Sequence, residues 1–294
     1  MASGNSSKSR KKRKIDVLVL SDVHLGTYGS KAKELIKYLR SIQPKRVILN
    51  GDIIDIWQFS KNYWPKSHMK VLNHLMKWIS AGVETTYITG NHDEMLRKFE
   101  GFKVGNFDIQ NKLILEVKSK KAWIFHGDVF DVTMKHSRWL AKLGAYGYGS
   151  LILLNRSVNF FTKLFGKGRI SLSKSIKDGV KGSSKSLIEF EATATSIAAE
   201  NEYDYVLCGH IHKPKIQEYL IGDRKVVYLN SGDWVENMTA LEFKKGKWKL
   251  YSYKEDEFLD VEDEEDIIEL ENNLTDKSAK ELFSKMFNEI LNRN

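Results

Sequence analysis

The stretch Thr85-Thr86-Tyr87-Ile88-Thr89-Gly90-Asn91-His92-Asp93 joins two signals: a short β-branched and apolar run, then a turn carrying an amide, an imidazole and a carboxylate. A run of that length ending at a glycine reads as a buried strand, so the polar turn sits at the strand's carboxyl end. Working outward, the pattern recurs. Runs at residues 17–20, 46–49, 122–125 and 205–208 lead into Asp22-Val23-His24, Gly51-Asp52-Ile53-Ile54-Asp55, His126-Gly127-Asp128 and Gly209-His210-Ile211-His212. Between the first three runs, residues 31–42 and 69–81 place apolar side chains at three- and four-residue spacing, which predicts helices. The alternation predicts an α/β (α+β) fold, and open sheets of that class hold ligands beyond the carboxyl ends of their strands. Residues 215–253 add a strand-rich region with hairpin turns at Gly222-Asp223 and Lys245-Gly246.

The turn residues share one chemistry. Imidazole nitrogens with carboxylate and amide oxygens are ligands for manganese, iron or zinc. Along an extended segment residues i and i+2 point the same way, so Asp22 and His24, and likewise His210 and His212, are expected to aim two donors at one place. A glycine before Asp52, Asn91 and His210 predicts a tight approach of backbone to ligand. A lone buried histidine is usually a satisfied core residue, and a lone Gly-Asp a simple turn. Five such blocks, each at a strand end, outweigh those readings together.

The order Asp-x-His, Gly-Asp, Gly-Asn-His-Asp, His, Gly-His-x-His resembles the calcineurin-like metallophosphoesterase superfamily, over residues 16 to 243. The resemblance implies a four-layer αββα sandwich and two divalent metal ions, Mn(2+) foremost, with iron or zinc as alternatives. It implies that Asp22, His24, Asp52 and His212 hold one ion and that Asp52, Asn91, His126 and His210 hold the other, with Asp52 bridging. Two such ions acidify a water to hydroxide, the expected nucleophile, and neutralise the phosphoryl oxygens that it approaches. His92 is then the candidate catalytic acid. Asp55, three residues after the bridging carboxylate, is expected to orient His92 and raise its pKa; the alternative for Asp55 is a helix cap near Trp57.

Charge and composition bound the rest. The 294 residues are 41% hydrophobic, enough for one large catalytic domain. The net charge of +9 is uneven: residues 8–14 carry six positive charges, and residues 255–271 carry eleven acidic residues with no basic one. Residues 15–254 alone hold about +13, which predicts an anionic partner: a phosphate substrate, an anionic membrane surface or, with less support, a nucleic acid. The single Cys208 excludes an intrachain disulfide and suits the cytoplasm. With no convincing secretory signal and no uninterrupted apolar run of spanning length, a soluble or peripheral protein is expected. The expected organisation is a disordered basic tail (1–14), a catalytic domain (15–254) with a mostly helical cap insertion at about 130–190, and an acidic linker with a short terminal helix (255–294).

Within the superfamily, His126-Gly127-Asp128, the insertion, and Gly232-Asp233-Trp234 most resemble the UDP-2,3-diacylglucosamine pyrophosphatases of lipid A synthesis. That implies cleavage of a nucleotide-diphosphate lipid to UMP and an acylated sugar 1-phosphate, with peripheral contact at the inner membrane. The insertion suits it: Trp139, Tyr146, Phe160 and Phe161 can cover acyl chains, and Arg138, Arg156 and Arg169 can meet phosphates, although such apolar residues also pack a cap's own helices. One departure is that the best-known members carry arginine where this chain has His92. General phosphodiesterases or phosphatases and nucleases of the superfamily are the alternatives. A non-catalytic scaffold is expected to have lost ligands, and all seven ligand positions are filled here.

Overall fold

In the computed structural model, residues 12–56, 63–130 and 183–253 are described. Trp57, nearly all of the expected cap insertion and the acidic linker with its terminal helix lie outside them. Every described residue belongs to one compact unit.

The alternation seen in the sequence builds the first sheet. Strand β1 (Arg13–Leu20), helix α1 (Ala32–Ser41), β2 (Ile42–Asn50), α2 (Lys66–Ser80) and β3 (Glu84–Ile88) follow one another. The three strands pair in parallel, with Leu18 opposite Val47 and Val47 opposite Thr85. Helix α1 passes into β2 without a loop, because its C-cap Ile42 is already extended at φ −123°, ψ 161°. Helix α2 starts at Lys66, three residues before the expected start, behind Pro65, whose extended backbone forms the N-cap.

Short strands β4 (Lys103–Val104) and β5 (Phe107–Gln110) extend this sheet; β6 (Lys112–Val117) and β7 (Lys120–Phe125) open the second. Helix α3 (Ser183–Glu200) precedes β8 (Tyr205–Cys208), β9 (Lys215–Ile221) and β10 (Arg224–Asn230), and β11 (Thr239–Lys244) and β12 (Lys247–Ser252) return to the first sheet. The strand orders are β12-β11-β1-β2-β3-β5-β4 and β6-β7-β8-β10-β9, both mixed.

Side-chain alternation sorts three layers of core. Leu18 and Leu20 of β1 and Val47 and Leu49 of β2 pack with Leu35 and Leu39 of α1 and Val71 and Leu75 of α2. Their neighbours Val17, Val19 and Ile48 face the other way, onto Ala122, Ile124, Leu207 and Leu229 of the second sheet. The far side of that sheet, Phe125, Val206, Cys208 and Tyr228, packs on Phe190, Ala194 and Ala198 of α3. Helices therefore flank two sheets packed face to face.

Arg13 and Lys14, the end of the basic run, form the start of β1. Arg13 donates to both carboxylate oxygens of buried Glu242 (3.0 and 3.1 Å), which also accepts from the Tyr38 hydroxyl (2.8 Å). One charge of the apparent tail is thus a structural pin joining β1, α1 and β11.

Candidate metal centre

The predicted ligand residues lie just past the carboxyl ends of β1, β2, β3, β7 and β8. Backbone hydrogen bonds tie their turns together: Asp22 N–H donates to Gly51 O (3.1 Å), His24 N–H to Asp52 O (2.9 Å), Gly209 N–H to His126 O (2.8 Å) and Trp234 N–H to Asp22 O (3.0 Å). Asp22, His24, Asp52, His210 and His212 all adopt positive φ, between 51° and 62°. The expectation of extended Asp-x-His and His-x-His segments is therefore corrected. Left-handed backbone at these five residues, a costly conformation for residues other than glycine, turns their side chains inward instead.

The turns bring the side chains into neighbouring groups. Ligand atoms of Asp22, His24 and His212 lie within 4.8 Å of one another, as do those of Asp52, His126 and His210. His210 and His212 thus serve different groups, not the single place that alternation predicted. Asp52 stands between the groups: its Oδ2 is 3.3 Å from His126 Nε2 and 3.9 Å from His24 Nε2. His212 Nε2 is 3.1 Å from Asp22 Oδ1. A third cluster joins His24, Asp55 and His92. There Asp55 Oδ2 lies 2.8 Å from His92 Nδ1 and 3.4 Å from His24 Nδ1, and the His24 and His92 rings meet edge to face at 4.7 Å.

Burial sets the electrostatics. Desolvation by itself would raise Asp52, but the facing rings of His126, His92 and His24 hold its carboxyl well below the usual range. Burial likewise opposes the downward shift of Asp22, which His212 produces. His126 moves well above its ordinary value, against its own burial, because the Asp52 carboxylate faces it. For His92, desolvation is outweighed by the hydrogen bond to Asp55 and by Asp52, and the imidazole is raised to about 9.

Among the predicted ligands, four buried polar atoms make no hydrogen bond: Asp22 Oδ1, His24 Nε2, Asn91 Oδ1 and His126 Nε2. Unpaired buried polar atoms are costly, and these four are oxygen and nitrogen donors of the kind that satisfies a divalent cation. The donor set fits the metals implied by the sequence. The glycines make room for it. A Cβ at Gly51 (φ +76°) would strike the His126 ring, and one at Gly90 would strike the Asp52 carboxylate. At Gly90 close approach, not backbone φ, is what requires glycine.

Some participants carried no sequence assignment. The Asn50 carbonyl lies 2.9 Å from His126 Nδ1, and a backbone group leaves no residue signature. Asp93, in a quoted block but without a role, accepts from Gly90 N–H (2.5 Å), Ile53 N–H (3.1 Å) and the Tyr87 hydroxyl (2.6 Å), clasping the β2 and β3 turns. Burial, then the nearby Asp52 charge, pushes its carboxyl up to about 7. His68 accepts from Gly26 N–H at Nδ1 (2.9 Å), beside the Asp22-Val23-His24 turn.

This fold, with these histidine and carboxylate groups at its strand ends, is that of a metal-dependent hydrolase. The calcineurin-like phosphoesterase family matches residues 15–214, over half the chain, and the chain belongs to that family. Among curated relatives, a UDP-2,3-diacylglucosamine hydrolase of Aliivibrio fischeri (strain MJ11) is 23% identical over 249 residues, covering 82% of this chain and 99% of the relative. One from Blochmanniella pennsylvanica (strain BPEN) is 23% identical over 208 residues, covering 69% and 82%. Among solved structures, a phosphoesterase from E. coli aligns with a TM-score of 0.40 at 9% identity, covering 81% of this chain and 92% of that one.

Proposed function

We propose that the chain is a dinuclear phosphodiester or pyrophosphate hydrolase in which Asp22, His24, Asp52 and His212 hold one ion and Asp52, Asn91, His126 and His210 the other. The observation that carries this is the place of Asp52 Oδ2, within 4 Å of a histidine nitrogen from each group, where one carboxylate can serve two ions. Two divalent ions bound there supply an acidified water as nucleophile and neutralise the phosphoryl oxygens. The chain's own residues do the rest. The His92 backbone N–H donates to Asp52 Oδ1 (2.8 Å), which fixes the bridging carboxylate. Asp55 Oδ2, 2.8 Å from His92 Nδ1, orients the ring and favours its charged form, so that Nε2–H can protonate the departing oxygen.

The substrate we propose is UDP-2,3-diacylglucosamine or a similar nucleotide-diphosphate lipid, cleaved to UMP and an acylated sugar 1-phosphate. Support comes from relatives of that name aligned along nearly their whole length. A lipid substrate accords with action at the cytoplasmic face of a membrane, by peripheral contact; no helix among the described residues is long and apolar enough to cross one. The His92–Asp55 pair favours a second reading, a general phosphodiesterase, because the best-known lipid-cleaving enzymes have arginine at that position. A manganese-supplemented panel of UDP-2,3-diacylglucosamine, simple phosphodiesters, phosphomonoesters and single-stranded DNA, with products identified by mass spectrometry, decides between them. UMP and acylated sugar 1-phosphate are expected; turnover of the other substrates without this one would refute the lipid reading.

A further inference from the structure

Three histidines of the centre share one arrangement. Each turns Nε2 inward, toward a carboxylate of the site, and Nδ1 outward, toward an acceptor. For His126 the outer acceptor is the Asn50 carbonyl at 2.9 Å, for His24 it is Asp55 at 3.4 Å, and for His212 it is Asp233 at 3.7 Å. Asp233 has had no part in the reaction so far. We propose that Asp233 is a positioning residue of the metal centre, its carboxylate holding His212 with Nδ1–H outward so that the Nε2 lone pair faces the ion site of Asp22 and His24. The inference rests on the dinuclear reading above.

The surroundings of Asp233 are built for this. Its side chain is fully buried, where a carboxylate persists only if its oxygens are matched by donors. Oδ1 accepts from the backbone N–H groups of Val235 (2.8 Å), Glu236 (2.5 Å) and Asn237 (3.2 Å), which locks the carboxylate plane. Oδ2 is left for the Asn237 side-chain amide and the His212 ring. The same amide donates to the His212 carbonyl (3.0 Å), so Asn237 ties the Asp233 carboxylate to the backbone of His212 while the ring faces that carboxylate at 3.7 Å. Trp234 N–H reaches the carbonyl of Asp22, one of the two carboxylate ligands proposed for that ion. A carboxylate behind a ligand histidine fixes the tautomer and makes the inward nitrogen a better donor.

A turn cap alone would also use Oδ1, and Asp233→Asn separates the two roles. Its amide oxygen can keep the three N–H bonds, while an NH2 group replaces the charged oxygen that faces His212. Mn(2+) titration by calorimetry, on metal-free full-length protein, should show one of two ions weakened about 10- to 100-fold in Asp233→Asn and the other unchanged. Asn237→Ala, which leaves the carboxylate in place, should weaken the same ion to a smaller extent and decides the matter if Asp233→Asn does not fold. Unchanged affinity for both ions in Asp233→Asn, or in Asn237→Ala as its stand-in, would overturn the proposal. His212→Ala is the reference: loss of one ion there supports the site assignment independently, whereas two ions bound as in wild type would overturn the assignment and this inference with it.

Discussion

At the scale of single residues, both oxygens of Asp52 are committed: Oδ2 between the two histidine groups and Oδ1 to the His92 N–H. Replacing Asp52 with alanine should remove both ions and lower turnover by more than about 100-fold, checked by metal stoichiometry and by hydrolysis rate. His92→Ala should keep two ions and lose about 100- to 10,000-fold in rate, as expected of a lost proton donor. Retained metal-dependent activity in Asp52→Ala would remove the basis of the assignment. His68 provides a test in pH. Burial pushes it down to about 4, below the ordinary value near 6.5. Above pH 6.5 the ring is neutral in folded and unfolded chains alike. Between 6.5 and about 4 the unfolded chain takes up a proton that the folded one refuses, so stability falls with pH through that window, by about 3 kcal/mol at most. His68→Gln keeps an acceptor for Gly26 N–H and does not titrate. Its urea-unfolding free energy in metal-free buffer should change less between pH 7 and 4.5 than that of wild type, and equal slopes would show that His68 contributes nothing.

At the scale of elements, the ligands sit on turns whose backbone is strained and whose space is fully used. Gly51→Ala adds a methyl group against His126 at a positive φ, and should cost roughly 2–4 kcal/mol and impair metal uptake. Gly101 is the control: its φ is +83°, yet a Cβ there meets nothing within 4 Å, so Gly101→Ala should cost only the backbone term of about 1–2 kcal/mol and leave metal uptake intact. Thermal melts and metal stoichiometry of the two variants separate crowding from strain. The elements also show what a linear reading misses. β6 was not foreseen because its alternating Leu113 and Leu115 stand among Lys112 and Glu116, and β5 has a single buried residue, Ile109. Both are strands because neighbours offer pairing partners, which local composition does not record.

At the scale of the whole molecule, the centre gathers buried carboxylates and imidazoles that fold together only at a cost, so bound cations and folding are linked. Removal of metal should lower the melting temperature. At a free concentration 100 times its dissociation constant each ion contributes about 2.7 kcal/mol, or roughly 5–10 °C for a domain of this size. Scanning calorimetry with and without a chelator checks this, and coincident melts would argue against buried ion sites.

The sequence by itself determined the α/β alternation, the strand ends as the place of chemistry and the residue types available there. Those are properties of short segments: apolar period, β-branched runs and polar turns act over a few residues and are written in order. Only the tertiary structure decided how the donors divide. His210 and His212, with only Ile211 between them, part into separate groups, while Asp22 and His212, far apart in the chain, come within 3.1 Å. It also decided the outward partners of the rings, from a carbonyl at Asn50 to a carboxylate at Asp233, and turned Arg13 from a tail charge into a pin for Glu242. Convergence of this kind arises where two sheets meet and left-handed turns redirect side chains, and no periodicity along the chain encodes which distant turn will stand opposite.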